Sequence, residues 1–446
     1  MFIVDTALKK RVAEGRPVQV GIFGAGYMAR AIALQIETHT PGMRVAAIAN
    51  RTPARAHDLL TGLNADPVAC ETADQIDDAI KAGRAAVTAD PHALAQAEGI
   101  DVVVEGTGTI DYGLEVVLAS IAAGKHVVLL NAEIDGLLGP ILKKKADAAG
   151  VVITCCAGDE PGVAMNLHRY VVGMGVRPVL NGHTKGFHNV YRTPATQQAY
   201  ADEKGLDVKL ATSACDGTKI SFEQAVIANA TGMGVAKRGM IVPEAPPGTR
   251  VEDLGKLYAP HLDFDGPGIV DYVIGTDPLT AVFIYGVIDD PRHHALMEYY
   301  KMGPGPLYCF YWPTHLVHLE AATTIARTVL FNDPTGTPLG GPVVGVASAA
   351  KSDLKAGETL DGMGGFTAYG LCDNADVMST ENLLPIALAD GCRLVKPVAK
   401  DAVIRWDDVV CDAARPALKL YREQEALFGL RAPEAARSDA PEAAFK

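Results

Sequence analysis

Three features are absent or scarce in this 446-residue chain, and each narrows the classes of function that fit. No run of about 18 apolar residues occurs, and residues 1–15 lack an apolar signal core, so we expect a cytoplasmic protein without membrane contact. The eight cysteines include no CxxC pair, which argues against a disulfide framework and a thiolate zinc site. Positive charge is scarce: the formal net charge of −13 argues against nucleic acid as the main partner.

The remaining composition is that of a soluble globular protein, with 48% hydrophobic and 21% charged residues. A chain of this length exceeds one ordinary hydrophobic core, so two or three domains are expected.

The strongest local pattern is a β-α-β unit near the N-terminus. A buried strand over 18–23 stops at Gly24 and Gly26, a helix follows at once, and a second strand at 45–49 begins about 20 residues after the glycines. Gly24 would form the tight turn, and Gly26 would let the backbone approach a pyrophosphate. The alternative is a glycine turn in an ordinary α/β core. The predicted dinucleotide contacts here are Gly24, Gly26, Tyr27 and Met28.

The end of the second strand indicates which dinucleotide binds. An NAD site usually has Asp or Glu there, whereas this strand ends in Asn50, Arg51 and Thr52. Arg51 could pair with a 2′-phosphate while Asn50 and Thr52 supply neutral donors, so NADPH is the predicted cofactor. Alternatively, Arg51 is a solvated loop cation and Thr52 caps the next helix.

Two further strand ends should face the same cofactor. The strand at 101–105 ends in Gly106, Thr107 and Gly108, which we expect beside the nicotinamide half. The strand at 126–130 ends at Asn131, which could hold the nicotinamide carboxamide or cap the following turn.

Carboxylates at strand ends are the candidates for acid/base chemistry or a metal. Asp159 and Glu160 follow the strand at 151–154, and Glu133 follows Asn131. We assign Asp159 and Glu160 as catalytic residues and as ligands of a divalent metal, Mg²⁺ or Mn²⁺. The alternative is that these carboxylates only cap helices.

Two later segments supply lysines and histidines. Lys185 and His188 lie in a donor-rich strand and loop over 182–189, whereas His183 fits a structural role. Lys219 and Glu223 share a helix face, where they could line a cleft or form only a helix ion pair. Lys185, His188, Lys219 and Glu223 are therefore candidate catalytic residues.

An acidic chain with an anionic substrate needs local cations. The candidates are the Lys237-Arg238 pair and Lys301, with solvated turns as the alternative. The stretch 244–278 is loop-like, which favours a lid or a subunit contact. The predicted substrate or phosphate contacts are Asn189, Arg192, Lys237, Arg238 and Lys301.

Several motifs together resemble a known superfamily. GIFGAGYMA, VVEGTGTIDYG, GKHVVLLNAEID and CAGDEPG, in residues 21–162, are similar to homoserine dehydrogenase-like oxidoreductases. Residues 348–412 look like a SAF domain, a small β-rich module. With GHTKGFHNVYRTP at 182–194, the chain most resembles the 1-deoxy-D-xylulose 5-phosphate reductoisomerase-like (DRL) branch. It departs from homoserine dehydrogenases at Ala132-Glu133, where they have a lysine after the asparagine.

The resemblance implies an α/β protein of three domains. Residues 1–160 would form an NADP-binding, doubly wound Rossmann domain, 161–345 an α+β substrate and dimerisation domain, and 346–432 a SAF-like domain, with a flexible tail at 433–446. It also implies a homodimer or higher homo-oligomer.

The implied activity is NADPH-dependent conversion of 1-deoxy-D-xylulose 5-phosphate to 2-C-methyl-D-erythritol 4-phosphate, a small phosphorylated or acidic sugar-like substrate. The alternatives are an NADP-dependent dehydrogenase of a sugar acid or homoserine-like alcohol, and a non-catalytic nucleotide or carbohydrate sensor.

Overall fold

The N-terminal part is a doubly wound α/β domain. The computed structural model describes residues 2–430, so the tail predicted at 433–446 lies outside the described residues. Seven parallel strands form one sheet in the order β3-β4-β2-β1-β5-β6-β7. The strands are β1 Val18–Phe23, β2 Met43–Ala49, β3 Val68–Ala69, β4 Ala86–Thr88, β5 Val102–Glu105, β6 His126–Leu129 and β7 Ile153–Cys155. The helices are α1 Phe2–Ala13, α2 Tyr27–His39, α3 Pro53–Gly62, α4 Ala73–Lys81, α5 Pro91–Gln96, α6 Asp111–Ala122 and α7 Ala132–Ala149.

This arrangement confirms the predicted fold class. The central strands β1 and β5 are mostly apolar and almost completely buried, as expected where helices cover both faces of a parallel sheet. The strand order reverses between β1 and β5, so the carboxyl ends of these two strands form the switch point at which doubly wound sheets bind ligands.

A second, four-stranded sheet follows in the order β11-β10-β8-β9, with β8 and β9 parallel and the other neighbours antiparallel. The loop interpretation of 244–278 is wrong for 269–274, which form β9. In β9, Val270, Tyr272 and Val273 are buried in the core. The strands are β8 Arg177–Lys185, β9 Ile269–Ile274, β10 Val282–Val287 and β11 Leu307–Trp312. The helices of this region are α8 Glu160–Gly173, α9 Pro194–Lys204, α10 Val208–Cys215, α11 Thr218–Thr231, α12 Gly255–Tyr258, α13 His294–Tyr299 and α14 Val317–Phe331.

Helix α11 connects the parts of the protein. Its residues from Ile220 to Ala230 are all buried, because it packs against α7, α8 and β9 and against the small C-terminal sheet. A helix buried on every side holds its polar side chains in fixed positions. Glu223, Gln224 and Asn229 are therefore placed precisely by the fold.

The C-terminal part is small and rich in short strands. It comprises an antiparallel pair, β12 Val344–Ala350 with β13 Ala368–Asn374, and a second pair, β14 Arg393–Leu394 with β15 Val409–Val410. Helix α15 spans Ala375–Thr380, and helix α16 spans Pro416–Leu427. A disulfide joins Cys392 to Cys411, a pairing that the sequence does not predict.

Helix α16 ties the C-terminal part to the Rossmann domain. The buried Gln424 amide donates to the carbonyl of Leu137 at 2.9 Å and accepts from the amide of Ile141 at 3.1 Å, both on α7. Within residues 2–430, no helix is both long and apolar enough to cross a membrane.

Asp135, on α7, is a buried carboxyl whose pKa is raised by burial from 3.8 to about 7. The folded protein therefore keeps a proton that the unfolded chain releases, and the free energy of unfolding falls as pH rises from about 4 to about 7. Between about pH 5 and about pH 8, the Asp135 carboxyl should lower the free energy of unfolding of the unmodified protein by about 2.5 kcal/mol. We expect Asp135→Asn to abolish this part of the pH dependence.

Urea unfolding at the two pH values measures this difference. Asp147→Asn, at an exposed position of the same helix, is the matched control and should not change it. Equal pH dependence of Asp135→Asn and the unmodified protein would contradict the prediction.

Candidate active site

The glycine turn after β1 has the geometry of a dinucleotide cradle. Gly24 adopts φ +101°, and a Cβ there would lie 2.9 Å from the carbonyl oxygen of Gly106, so only glycine fits. A Cβ on Gly26 would meet nothing within 4 Å, which leaves open space above the turn. Helix α2 begins at Tyr27 without a side-chain cap, so its first N–H groups are available to a pyrophosphate.

The residues after β2 lie at the surface. The Asn50 amide donates to the carbonyl of Thr52 at 2.8 Å, and the Thr52 hydroxyl makes no capping bond to α3. The Arg51 guanidinium lies 5.7 Å from the centroid of the Tyr112 ring, and no ion pair of Arg51 occurs within residues 2–430. Arg51 is thus an exposed cation that is free to meet an anionic ligand.

The turn after β5 is held by a buried carboxylate. Glu105 is completely buried, and its Oε1 accepts from both the amide, at 2.9 Å, and the hydroxyl of Thr107. The Asn131 amide donates to the carbonyl of Thr109 at 3.0 Å and accepts from the amide of Ile134 at 3.2 Å. Asn131 therefore caps α7, and its contact with nicotinamide stays a prediction.

Beyond β7, two lysines and two glutamates form what we call the Lys–Glu cluster: Lys185, Glu160, Lys219 and Glu223. Lys185 Nζ lies 2.5 Å from Glu160 Oε1 and 3.9 Å from Glu223 Oε2. Lys219 Nζ lies 3.5 Å from Glu160 Oε2 and contacts Glu223 Oε1. Each lysine therefore lies between the two glutamates, and each glutamate between the two lysines, so that the four groups form a ring.

Three parts of the fold bring these four side chains together. Glu160 begins α8, Lys185 ends β8, and Lys219 and Glu223 lie one turn apart on α11. The glutamate side chains are at most 5% exposed, whereas about a quarter of each lysine side chain is open to solvent. The cluster is therefore enclosed around its glutamates and partly open to solvent along its two lysine side chains, and we call this opening the cleft.

The alternation of charge sets the protonation states. Burial by itself raises the pKa of Glu160, but Lys185 and Lys219 outweigh it and hold that pKa well below its usual range. Burial and the Glu160 carboxylate raise the pKa of Glu223 well above its usual range. Burial opposes charge on the lysines, but both pKa values are raised because the two glutamates attract the ammonium groups.

Further groups surround the cluster. Burial raises the pKa of Asp159, which precedes α8, and of Glu133 on the first turn of α7. His315 Nε2 lies 3.7 Å from Glu160 Oε1. Within the part of the chain that the structure describes, Asp159, Glu160 and Glu223 are the carboxylates whose oxygens converge to within 4.8 Å, a hard donor set of the kind that Mg²⁺ prefers.

The two histidines near β8 have different neighbours. His183 is buried, its Nδ1 lies 2.6 Å from Gln224 Nε2, and burial lowers its pKa to about 3. His188 stacks on Tyr272 with ring centroids 5.6 Å apart, and its Nδ1 contacts the Tyr272 hydroxyl. His183 is therefore neutral in the wall of the cleft, and Tyr272 fixes the ring of His188.

The five predicted substrate contacts are not gathered in one place. Arg238 pairs with Asp373 at 2.5 Å and with Glu381 at 2.7 Å, so carboxylates already neutralise it. The side-chain oxygen of Asn189 accepts a hydrogen bond from the backbone amide of Tyr191 at 3.0 Å. Lys237 and Lys301 are exposed, and Arg192 stacks on Phe187.

Four residues of this region were not among the predicted contacts: Glu105, Gln224, Tyr272 and His315. The sequence does not indicate Tyr272, because the glycines and prolines around its strand are typical of a loop. Gln224 and His315 reach the site through packing between distant segments, and Glu105 has only the sequence signal of the end of a buried strand.

The parallel sheet, the glycine turn and the cleft beyond β7 define a Rossmann-fold oxidoreductase with a nicotinamide dinucleotide cofactor. Residues 18–129 match the family model described as "Oxidoreductase family, NAD-binding Rossmann fold". Residues 158–321 match the model described as "Oxidoreductase DRL, catalytic domain". All four members of the Lys–Glu cluster lie within the second match.

Individual proteins are more distant. A homoserine dehydrogenase of Corynebacterium glutamicum is 33% identical over 138 residues, which is 30% of this chain and 30% of that protein. A solved DOX-P reductoisomerase in complex with NADPH, fosmidomycin and magnesium is 16% identical, with a TM-score of 0.32, over 46% of this chain and 57% of that one. A homoserine dehydrogenase from Thiobacillus denitrificans is 15% identical, with a TM-score of 0.41, over 71% and 74%.

Proposed function

We propose that this protein is an NADPH-dependent reductoisomerase that converts 1-deoxy-D-xylulose 5-phosphate to 2-C-methyl-D-erythritol 4-phosphate. The observation that carries the proposal is the Lys–Glu cluster, which lies within the match to the DRL catalytic domain. The cluster brings together two ammonium groups and a carboxyl of raised pKa beyond the carboxyl end of β7, the edge of the sheet at which we propose that the cofactor binds. A reaction that moves protons between adjacent oxygens before accepting hydride needs such groups.

Within the cluster, Lys185 acts as the acid. Its side chain is partly open to the cleft, and Glu160 keeps its ammonium group charged, so Lys185 can donate a hydrogen bond or a proton to a substrate carbonyl oxygen. Burial and the Glu160 carboxylate raise the pKa of Glu223, so it takes up a proton more readily than Glu160 and can supply a second proton donor. Glu160 acts through Lys185 and Lys219, which makes it a positioning residue.

The substrate phosphate binds at Arg192. Its Nε is buried without a hydrogen-bond partner, and no carboxylate within residues 2–430 pairs with it, unlike Arg238. Arg192 can therefore hold an anionic end of a substrate whose carbonyl meets Lys185.

A divalent metal fits the carboxylates by their chemistry. Asp159, Glu160 and Glu223 would hold it, and when bound it would polarise adjacent substrate oxygens. Lys219 contacts both glutamates, so a metal would compete with this ammonium group. Activity measured with and without Mg²⁺ or Mn²⁺ tests the proposed metal.

The preference for NADPH rests on Arg51. Because this exposed guanidinium has no carboxylate partner in the described part of the chain, it can pair with the 2′-phosphate that NADH lacks. We expect Arg51→Ala to raise the KM for NADPH by about 30-fold and that for NADH by less than about threefold. Arg55→Ala, one helical turn further along, is the control. Equal effects of Arg51→Ala on both cofactors would remove Arg51 from the site.

The proposed reaction is tested by following NADPH oxidation by the purified protein. The panel contains 1-deoxy-D-xylulose 5-phosphate, sugar acids and homoserine, each with and without Mg²⁺ or Mn²⁺. Turnover of the phosphorylated ketose supports the proposal. Turnover of a sugar acid or homoserine instead would contradict the proposal and indicate a simple dehydrogenase. Cofactor binding without turnover of any compound would favour a sensor. Homo-oligomerisation and the cytoplasmic location stay predictions.

A further inference from the structure

Glu105 is a buried carboxylate at the switch point of the sheet, with one oxygen that lacks a hydrogen-bond partner and with no ion pair in the described part of the chain. It is completely buried at the carboxyl end of β5, beside the switch point of the sheet. Its Oε1 accepts two bonds from Thr107, but its Oε2 is buried without any hydrogen-bond partner. No lysine or arginine within residues 2–430 forms an ion pair with it. An unpaired carboxylate is costly to bury, so this position needs an explanation.

The position of Glu105 relative to the cofactor follows from the cradle and the Lys–Glu cluster. In the proposed site the pyrophosphate would bind at the uncapped start of α2, and the hydride acceptor would meet the cluster beyond β7. The nicotinamide ring must lie between them, over the ends of β5 and β6, where Glu105 holds the turn. The close approach of Gly24 to Gly106 fixes that turn against the cradle.

We propose that Glu105 sets the preference of the site between the oxidised and the reduced cofactor, because its carboxylate stabilises the positive charge that only the oxidised nicotinamide ring carries. This inference rests on the proposed function in requiring a nicotinamide cofactor and a substrate that meets the Lys–Glu cluster. Hydride transfer changes the charge of the ring by one unit, so a buried charge nearby must favour one redox form.

The ionisation of Glu105 makes this preference depend on pH. Burial raises its pKa to about 7, the bonds from Thr107 and the nearby amide group of Asn131 oppose the rise, and Glu133 on α7 adds to it. Tyr112, on α6, is the other titratable group in electrostatic contact with Glu105, and Arg51 lies over its ring. Above about pH 7 the carboxylate is charged and favours the oxidised form, and below it this effect disappears.

The test measures dissociation constants of NADP⁺ and NADPH by fluorescence or calorimetry, without substrate. Both cofactors carry the same 2′-phosphate, so its titration and that of its protein partners cancel in the ratio of the two constants. In the unmodified protein, we expect the affinity for NADP⁺ relative to that for NADPH to rise roughly tenfold between about pH 5.5 and about pH 8.5. In Glu105→Gln the ratio should not change with pH.

Glu98→Gln is the matched control, an exposed glutamate that precedes the same strand, and it should behave as the unmodified protein does. A ratio that does not vary with pH in the unmodified protein would overturn the proposal even if Glu105→Gln fails to fold. Binding of neither cofactor would instead refute the proposed function, so the two failures are distinguishable.

Discussion

Replacing Lys185 by methionine is expected to lower kcat by about a thousandfold. Methionine keeps the length and apolar stem of the side chain but removes the ammonium group that faces the cleft. Glu160 keeps this group charged at 2.5 Å, so its loss removes the acid on which proton transfer to the substrate oxygen depends. The dissociation constant of NADPH should change by less than about twofold, because the proposed cofactor site lies at the starts of α2 and α3 and does not include Lys185.

Steady-state kinetics and direct cofactor binding measure the two quantities separately. Lys204→Met removes an exposed lysine at the end of α9 and is the matched control. A kcat within about threefold of the unmodified value would exclude Lys185 as the acid. Equal losses of cofactor binding and of kcat would indicate a damaged fold.

Glu160→Gln is expected to lower kcat by at least about a hundredfold and to move the alkaline limb of the pH profile to lower pH. Burial lowers the pKa of Lys185, and Glu160 is the strongest group that raises it. Once Glu160 is neutral, Lys185 loses its proton at a lower pH. The form of the enzyme with a charged acid then disappears earlier as pH rises.

The measurement is kcat/KM as a function of pH, with thermal unfolding to confirm that the variant folds. Folding must be checked because removing one partner of a buried ion pair can cost about 3–5 kcal/mol. Glu203→Gln, an exposed glutamate on α9, should leave the profile unchanged. An alkaline limb that stays in place would show that Glu160 does not control the charge of Lys185.

The N-terminal sheet could be predicted because its signals are local. The buried strands, the glycine turn and the following helices occur in immediate succession, and β1, β2, β5, β6 and β7 lie within two residues of their predicted bounds. The contact between Lys219 and Glu223 could be predicted for the same reason, since four residues separate them on one helix.

The rest of the site depends on long-range packing. Lys185 meets Glu160 because β8 and α8 pack together, and no spacing in the sequence specifies that contact. The sequence does not indicate strand β9, because glycines, prolines and aspartates surround its six residues. These residues form a strand through pairing with β8, which is distant in the sequence. The Cys392–Cys411 pair was missed because the folding of the C-terminal part brings the two cysteines together.

The fate of one carbon atom tests the reductoisomerase assignment most directly. The protein is incubated with NADPH and 1-deoxy-D-xylulose 5-phosphate labelled with ¹³C at the ketone carbon, and the product is examined by NMR. The proposed function predicts that the label appears in a quaternary carbon that carries the methyl group and no hydrogen. A labelled carbon that carries one hydrogen would show direct reduction of the ketone without rearrangement and would contradict the account, as would the absence of any NADPH oxidation.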